Sequence, residues 1–447
     1  MGMKCLILAA GQGKRIRAEW DGKPLVPVMG IPLLERVIRA FATAEVEEFF
    51  VVVGYKKEPL CSALEALSLR LGLSLTPITN VDWKSENGAS VLKGREVLTE
   101  PFLLAMSDHL FDAAILPPLI EFPLPEGSLA LCTDHRLNNP LVDMEDVTRV
   151  RVEDGKIRAI GKSLEDFNGF DTGLFKCTPA LFEVLERNAR ENQDASLTGA
   201  VRLLAHEGRA LAVDIGSKFW IDVDTPDTFR LAGKALLGEL GAKTDDGPVA
   251  RYLNRPLSTR ISGVLARYPI TPNHISVFSF FCSLLAAGLF ITGGYPALAL
   301  GGLLAQFASV IDGSDGEIAR LKFQSSKYGG WLDAVLDRYA DAFLLFGLTW
   351  HHFNNHSQNW VLPLGFAAII GSFMLSYTAD KYDNLMKARI GGHRFRLGRD
   401  LRVFVIFLGA VFNLVAPTLA VIAVTMNLET LRRVIVCRDE ENSHGLP

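Results

Sequence analysis

Along the first half of the chain, short apolar runs rich in β-branched residues alternate with amphipathic stretches; along the second half, long apolar runs take over. The runs KCLILAA, FFVVVGY, PFLLAMSDH and SLALCTD read as buried strands, and segments 33–44 and 58–71 as helices between them. That alternation predicts an α/β domain over residues 1–237, with a mostly parallel sheet covered on both faces. VEDGKI, set between TRVRV and RAIG, predicts a hairpin. The opening apolar stretch is too short for a signal peptide and runs into glycine and charge, so it reads as the first strand.

A polar stretch at 238–250 reads as a linker. After it, VARYLNRPLSTRISGVLARYPITPN is amphipathic and arginine-bearing, which suits a juxtamembrane helix on a bilayer surface. Six apolar helices are then expected, at 275–292, 296–320, 329–350, 359–379, 401–416 and 417–436, making residues 251–437 an all-α polytopic membrane domain. The polar tail, 438–447, is expected to be disordered.

Charge placement supports the count. The turns near 293–296, 351–359 and 413–417 hold no Lys or Arg, whereas the other side holds Arg320, Lys322, Lys327, Lys381, Lys387, Arg389, Arg394, Arg396, Arg399, Arg402, Arg432 and Arg433. This obeys the positive-inside rule for a multi-pass protein of the cell membrane, with the N-terminal domain and the C-terminus cytoplasmic. A soluble helical bundle would not require charge-free turns at every second connection.

Composition changes the picture little. A mean hydropathy of +0.21 with 49% hydrophobic residues is high for a purely soluble protein. The net charge of −4 gives no basic signature for nucleic acid. Six scattered cysteines without a CxxC pair argue against a disulfide framework or zinc site.

The aspartates inside the apolar half carry the first candidate chemistry. Asp312 and Asp315 share one helix face, as do Asp333 and Asp337 on the next helix, so four carboxylates can converge. Each ionised Asp at a bilayer centre costs about 2.5–3.5 kcal/mol, and divalent cations such as Mg²⁺ or Mn²⁺ would compensate them. The bland alternative places these residues at wet helix ends, paired with Arg320, Arg338 or Lys327. Gly316 and Gly329 weigh against it, because glycine within a helix is unfavourable unless something approaches the backbone closely.

The full pattern, Asp312-x-x-Asp315-Gly316-x-x-Ala319-Arg320, eight residues, Gly329-x-x-x-Asp333-x-x-x-Asp337, resembles the signature of the CDP-alcohol phosphatidyltransferase family at every fixed position. ITPNHIS, at 270–276, also resembles that family's entry to its first membrane helix. The resemblance implies six transmembrane helices, usually in a homodimer, and a two-metal site on the matching aspartates with Asp337 as general base. It also implies a cytidine pocket near Gly316 and Ala319, and Arg320 and Gly329 join it as nucleotide-binding candidates. Lys327, Arg399 and Arg402 are candidates for holding an acceptor phosphate, though each also fits ordinary positive-inside topology. Asp341 continues the spacing and is either a supporting or a merely hydrated residue.

In the first half, LILAAGQGKRIRAEWDGKP sets a glycine turn directly after the first strand. It is neither GxGxxG nor GxxxxGK, which disfavours a dinucleotide site or a Walker loop. Gly11-x-Gly13-x-Arg15 followed by Lys23-Pro24 resembles the opening signature of the sugar-phosphate nucleotidyltransferases, which implies a Rossmann-like fold. Backbone N–H groups there can cradle triphosphate oxygens while Arg15 and Lys23 act as catalytic cations. Asp108, ending a strand, and Asp222 and Asp224 are the metal candidates, with the choice between the last two open. Asn87 is a base-reading candidate. Lys162 and Asp171 are candidates for the alcohol phosphate or plain surface charges.

A domain making an NDP-activated compound, fused to one consuming CDP-alcohols, implies two consecutive steps with CTP as the nucleotide. The fusion resembles a family of two-domain enzymes that activate inositol 1-phosphate and then condense the CDP-inositol with a second inositol 1-phosphate. Alternatives are a phospholipid synthase using CDP-diacylglycerol, the same steps on another polyol phosphate, and a degenerate N-terminal regulatory module.

Overall fold

A computed structural model of the chain describes residues 2–13, 22–240, 247–386 and 398–444. Arg15, Lys387, Arg389, Arg394 and Arg396 lie outside the described residues. Packing divides the chain into two units, Met1–Ala235 and Leu236–Pro447.

The first unit begins with β1 (Lys4–Ala9), β2 (Pro27–Val28), β3 (Ile31–Pro32), α1 (Leu33–Thr43), β4 (Glu48–Val53), α2 (Lys57–Leu71) and β5 (Ser74–Thr79). It continues through α3 (Asn87–Leu92), β6 (Phe102–Met106), β7 (His109–Phe111), α4 (Leu116–Glu121), β8 (Leu129–Asp134), β9 (Arg149–Glu153) and β10 (Lys156–Gly161). It ends with β11 (Gly169–Cys177), α5 (Ala180–Glu191), α6 (Leu197–His206), β12 (Ala210–Asp214), β13 (Trp220–Asp222) and α7 (Pro226–Gly238).

Nine strands form one sheet in the order β5-β4-β1-β6-β11-β8-β12-β10-β9. Alternation along β1 explains its double burial. Cys5, Ile7 and Ala9 pack with Leu34, Val37 and Phe41 of α1 on one face, and Leu6 and Leu8 pack with the opposite core that holds Phe102 and Phe182.

The sheet is mixed rather than mostly parallel. The run β5-β4-β1-β6 is parallel, as is the β12–β8 pair, but β11 lies antiparallel between β6 and β8, and β10 and β9 are antiparallel too. The sequence hides β11 because Gly173, at φ 74°, interrupts its apolar run where the register with β8 shifts. The hairpin β9–β10 turns on Asp154 and Gly155, at φ 50° and 71°, as the DG pair favours.

In the second unit, a π-turn over Ala250–Asn254 leads into α8 (Arg255–Leu265). Then come α9 (Pro272–Ile291), α10 (Tyr295–Leu321), α11 (Lys327–His356), α12 (Val361–Met386), α13 (Arg399–Val411) and α14 (Val415–His444). Among the described residues, three helices are long and apolar enough to cross a membrane: Pro272–Ile291, Tyr295–Leu321 and Val361–Ala379.

Three expectations change. The last turn comes earlier than 416, at the left-handed Asn413 (φ 55°), and Pro417 sits in the first turn of α14, where its missing N–H has no cost. The tail expected to be disordered is helical through His444 as a continuation of α14. The surface helix α8 is also pinned from below: Ser258 and Ser262 each donate to the fully buried Glu317 of α10 at 2.6 Å, and Arg255 pairs with it at 3.0 Å. Its outer side leaves Leu257 and Val264 exposed.

Candidate active sites

In the first unit, the chain leaves β1 through Ala10 and Gly11 to Gly13, whose φ of 61° suits glycine. A Cβ on Gly13 would lie 2.5 Å from that of Lys23, so the turn closes directly on this lysine. Lys23 opens the short 3₁₀ turn Lys23–Leu25 and is buried, with its ammonium bonded to Asp108 and Asp224 and 3.5 Å from Asp222. Asp108 follows β6, and the β13–β7 pair, with Asp222 opposite His109, brings the downstream acids to it. Val223 N donates to Asp108 O at 3.1 Å, completing the join.

His109, which sequence reasoning missed, stands 3.6 Å from both Asp108 and Asp222. Burial opposes its protonation, but the Asp222 and Asp108 carboxylates outweigh that and raise its pKa. Asp222 is held below the usual carboxylate range: burial would raise it, and His109 and Lys23 overcome the burial. Asp171 caps Gly173 N at 2.8 Å, and burial pushes its carboxyl up to about 6.

Two cavities flank this cluster. One of about 310 Å³ is lined by Gly11, Gly13, Lys23, Asn87 and Asp108. The other, about 220 Å³, is lined by His109, Asp146, Lys162, Asp171 and Asp222. Asn87 and Asp224 border both. Asn87 begins α3 and its Oδ1 accepts from Leu197 N at 2.8 Å, while Lys162 pairs with Asp146 at 2.5 Å. Carboxylate oxygens of Asp146, Asp222 and Asp224 lie within 4.8 Å of one another, and Asp222 Oδ1 is buried without a hydrogen bond, which fits a cation ligand. Asp146 gave no sequence signal, because it comes from a long loop.

In the second unit, Asp312 of α10 meets Asp333 and Asp337 of α11 with carboxylate oxygens within 4.8 Å. Asp315 lies beside them, hydrogen-bonded to Asp333 and accepting from Ser276 at 2.6 Å. Ser279 donates to Asp312 at 3.0 Å, so α9 supplies two positioning hydroxyls that the sequence reading passed over; three residues apart on an apolar helix, they face one side. Asp333 Oδ1 is buried without a hydrogen bond, again fitting a cation.

The cations expected nearby divide. Arg399 enters the cluster itself, with Nη1 2.6 Å from Asp312 and 2.7 Å from Asp337. Arg402 is buried against Asp341, which also accepts from Ser372 at 3.0 Å. Lys327 is exposed in the first turn of α11. Gly329 N donates to the capping Ser326 Oγ at 2.9 Å, and Gly316 leaves room for Arg320, 3.4 Å from where a Cβ would stand. Ala319, next to Arg320 on α10, is half-buried. A cluster of this kind can grip a diphosphate through divalent ions and accept a proton from a hydroxyl.

Over 442 residues, the chain is 35% identical to the bifunctional IPC transferase and DIPP synthase of Rubrobacter xylanophilus, an alignment covering 98% of this chain and 97% of that one. The chain belongs to this family. The bifunctional IPC transferase and DIPP synthase of Aquifex aeolicus is 33% identical over 434 residues, covering 95% and 96%. Residues 5–158 match the MobA-like NTP transferase domain, and residues 269–432 match the CDP-alcohol phosphatidyltransferase family. Lys23 and Asp108 fall in the first match, and the membrane-half aspartates, Arg399 and Arg402 in the second. The inositol-1-phosphate CTP transferase from T. maritima is 25% identical, at a TM-score of 0.47, covering 52% of this chain and 96% of that one. Members of the bifunctional IPC transferase and DIPP synthase family thus join a nucleotidyltransferase to a CDP-alcohol phosphotransferase in one enzyme, and the apolar helices associate the second with a membrane.

Proposed function

We propose that the two sites catalyse consecutive reactions. In the first, a phosphate oxygen of inositol 1-phosphate attacks the α-phosphorus of CTP, the bond to the β-phosphate breaks, and CDP-inositol and pyrophosphate form. In the second, a hydroxyl of another inositol 1-phosphate attacks the β-phosphorus of CDP-inositol, which carries the inositol. CMP leaves and di-myo-inositol phosphate phosphate results. The observation that carries this reading is that one chain holds both carboxylate clusters, in a domain order shared over nearly its whole length with relatives of that name.

Bound at these carboxylates, a divalent ion, Mg²⁺ or Mn²⁺ in our reading, supplies neutralisation of the phosphates and of charge on the leaving group. Asp108, Asp222 and Asp224 would hold it in the first site, and Asp312, Asp315, Asp333 and Asp337 in the second. Lys23 binds the α-phosphate, with Arg15 as its partner cation, while the Gly11–Gly13 turn carries the triphosphate and Asn87 contacts the base. The alcohol phosphate takes the 220 Å³ cavity with Lys162 and Asp171. In the second site, Asp337 takes the proton from the attacking hydroxyl. Gly316, Ala319, Arg320 and Gly329 make room for cytidine, and Arg399 with Lys327 draws the anionic acceptor toward the cluster; Arg402 supports Arg399 from behind through Asp341.

Six helices, α9 to α14, cross the bilayer in this reading, with both termini cytoplasmic and two copies forming a homodimer. The charge-free turns at 293–296 and 351–359 support that orientation.

Purified protein in detergent, given CTP, Mg²⁺ and a panel of polyol phosphates, is expected to release pyrophosphate and then CMP with inositol 1-phosphate, with both products identified by mass. CMP release from CDP-diacylglycerol but not from CDP-inositol would replace this reading with phospholipid synthesis.

A further inference from the structure

Asp134 closes β8 with a side chain that no solvent reaches, and it lines neither of the two cavities that flank the Lys23 cluster. Its Oδ1 accepts from Arg136 N and Nε, each at 2.9 Å. Its Oδ2 accepts from Arg136 Nη2 at 3.0 Å, Asn139 Nδ2 at 2.8 Å and Trp220 Nε1 at 2.9 Å. Burial alone would raise its pKa, but these donors more than offset it and hold the carboxyl below the usual range. A charged acceptor saturated in this way is a strong joint between the segments that supply the donors.

Both segments contribute to the lining of one cavity. Trp220 opens β13 two residues before Asp222, and Arg136 fastens the approach to that strand through Ser217 O at 3.0 Å and Lys218 O at 2.5 Å. Asn139 starts the loop of the other wall: its Oδ1 accepts from Leu141 N at 3.0 Å and its carbonyl from Val142 N at 3.2 Å. The 220 Å³ cavity is lined by Trp220 and Asp222 of β13 and by Val142 and Asp146 of the loop, with the Asp146 and Asp222 carboxylate oxygens within 4.8 Å of each other. Arg136 and Asn139, like Asp134, do not line it.

We propose that Asp134 is a positioning residue for the first reaction: by seating Trp220 and Asn139 on one carboxylate, it sets the gap between β13 and the 139–148 loop and hence the fit of the alcohol phosphate. The inference rests on assigning that cavity to the alcohol phosphate. It bears more on one substrate than on the other, because no residue of the 139–148 loop lines the cavity of Gly11 and Lys23, to which the chain beyond β13 contributes Asp224.

Asp134→Asn keeps the shape but turns one acceptor oxygen into a donor that faces other donors, so one wall must let go. In full-length protein the KM for inositol 1-phosphate is expected to rise about tenfold, as for loss of one charged hydrogen bond. CMP release from supplied CDP-inositol should stay as in the parent protein, and the KM for CTP should change less than that for inositol 1-phosphate. Asn139→Ala frees the loop wall alone and is expected to shift the same KM in the same direction by less. If Asp134→Asn does not fold, Asn139→Ala decides by the same split. Unchanged KM values, a rise in the KM for CTP in step, or a fall in thermal stability alone would overturn the proposal. Failure of the unsubstituted protein to turn over any polyol phosphate would instead end the functional reading, and this inference with it.

Discussion

Arg402 and Asp341 meet at 2.7 Å, one from α13 and one from α11, with each side chain 5% exposed. Removing one member of such a pair strands a buried charge. Asp341→Ala is expected to destabilise the second unit by about 3–5 kcal/mol, read as a lower Tm in detergent. Replacing both residues by apolar ones of similar volume is expected to cost much less. An unchanged Tm in the single variant would show that the pair carries no such strain.

Asp337 shares Arg399 with Asp312 at the centre of the membrane-half cluster. Asp337→Asn retains size and loses the proton acceptor. Transfer from CDP-inositol is expected to fall about 10²–10⁴-fold, the usual range for a general base. Pyrophosphate release from CTP and inositol 1-phosphate, measured on the same preparation, should persist.

Lys23→Met supplies the reciprocal case. Losing a cation aimed at the reacting phosphate is expected to lower cytidylyl transfer about 10²–10³-fold. CMP release from supplied CDP-inositol should continue at the parent rate. A joint loss of both activities would refute the division of labour between the units.

Asp171, with its carboxyl raised to about 6 by burial, gives a pH dependence of definite sign. Between the ordinary carboxylate value and 6, the folded chain keeps a proton that the unfolded chain releases. Its contribution is therefore full below about pH 4 and is lost as pH rises through 6, by roughly 3 kcal/mol. Asp171→Asn cannot ionise, so its Tm relative to the parent protein is expected to climb between pH 4 and pH 7. A constant difference across that range would count against the buried, raised carboxyl.

Chelation should silence both sites. Stripping divalent ions with EDTA is expected to stop both pyrophosphate and CMP release, with Mg²⁺ restoring each. Restoration of only one would assign the metal requirement to a single cluster.

Local periodicity accounts for the parts of this molecule that could be read directly. Strand β1 shows in its unbroken apolar run, the β9–β10 turn in Asp154-Gly155, and the shared faces of Asp312 with Asp315 and of Asp333 with Asp337 in spacings of three and four. These features depend on neighbours within one turn or one hairpin, where the backbone geometry is fixed by residue type. The path of the chain settled the rest. Arg399 reaches Asp312 across 87 residues, Asp134 reaches Trp220 across 86, and Ser258 reaches Glu317 across 59. His109 became part of a cluster only because β13 pairs beside β7, and β11 runs antiparallel between β6 and β8, with a left-handed glycine where its register with β8 shifts. Charges and hydroxyls so far apart find one another by the packing of whole strands and helices, and no spacing along the chain encodes which of many polar side chains will be the partner.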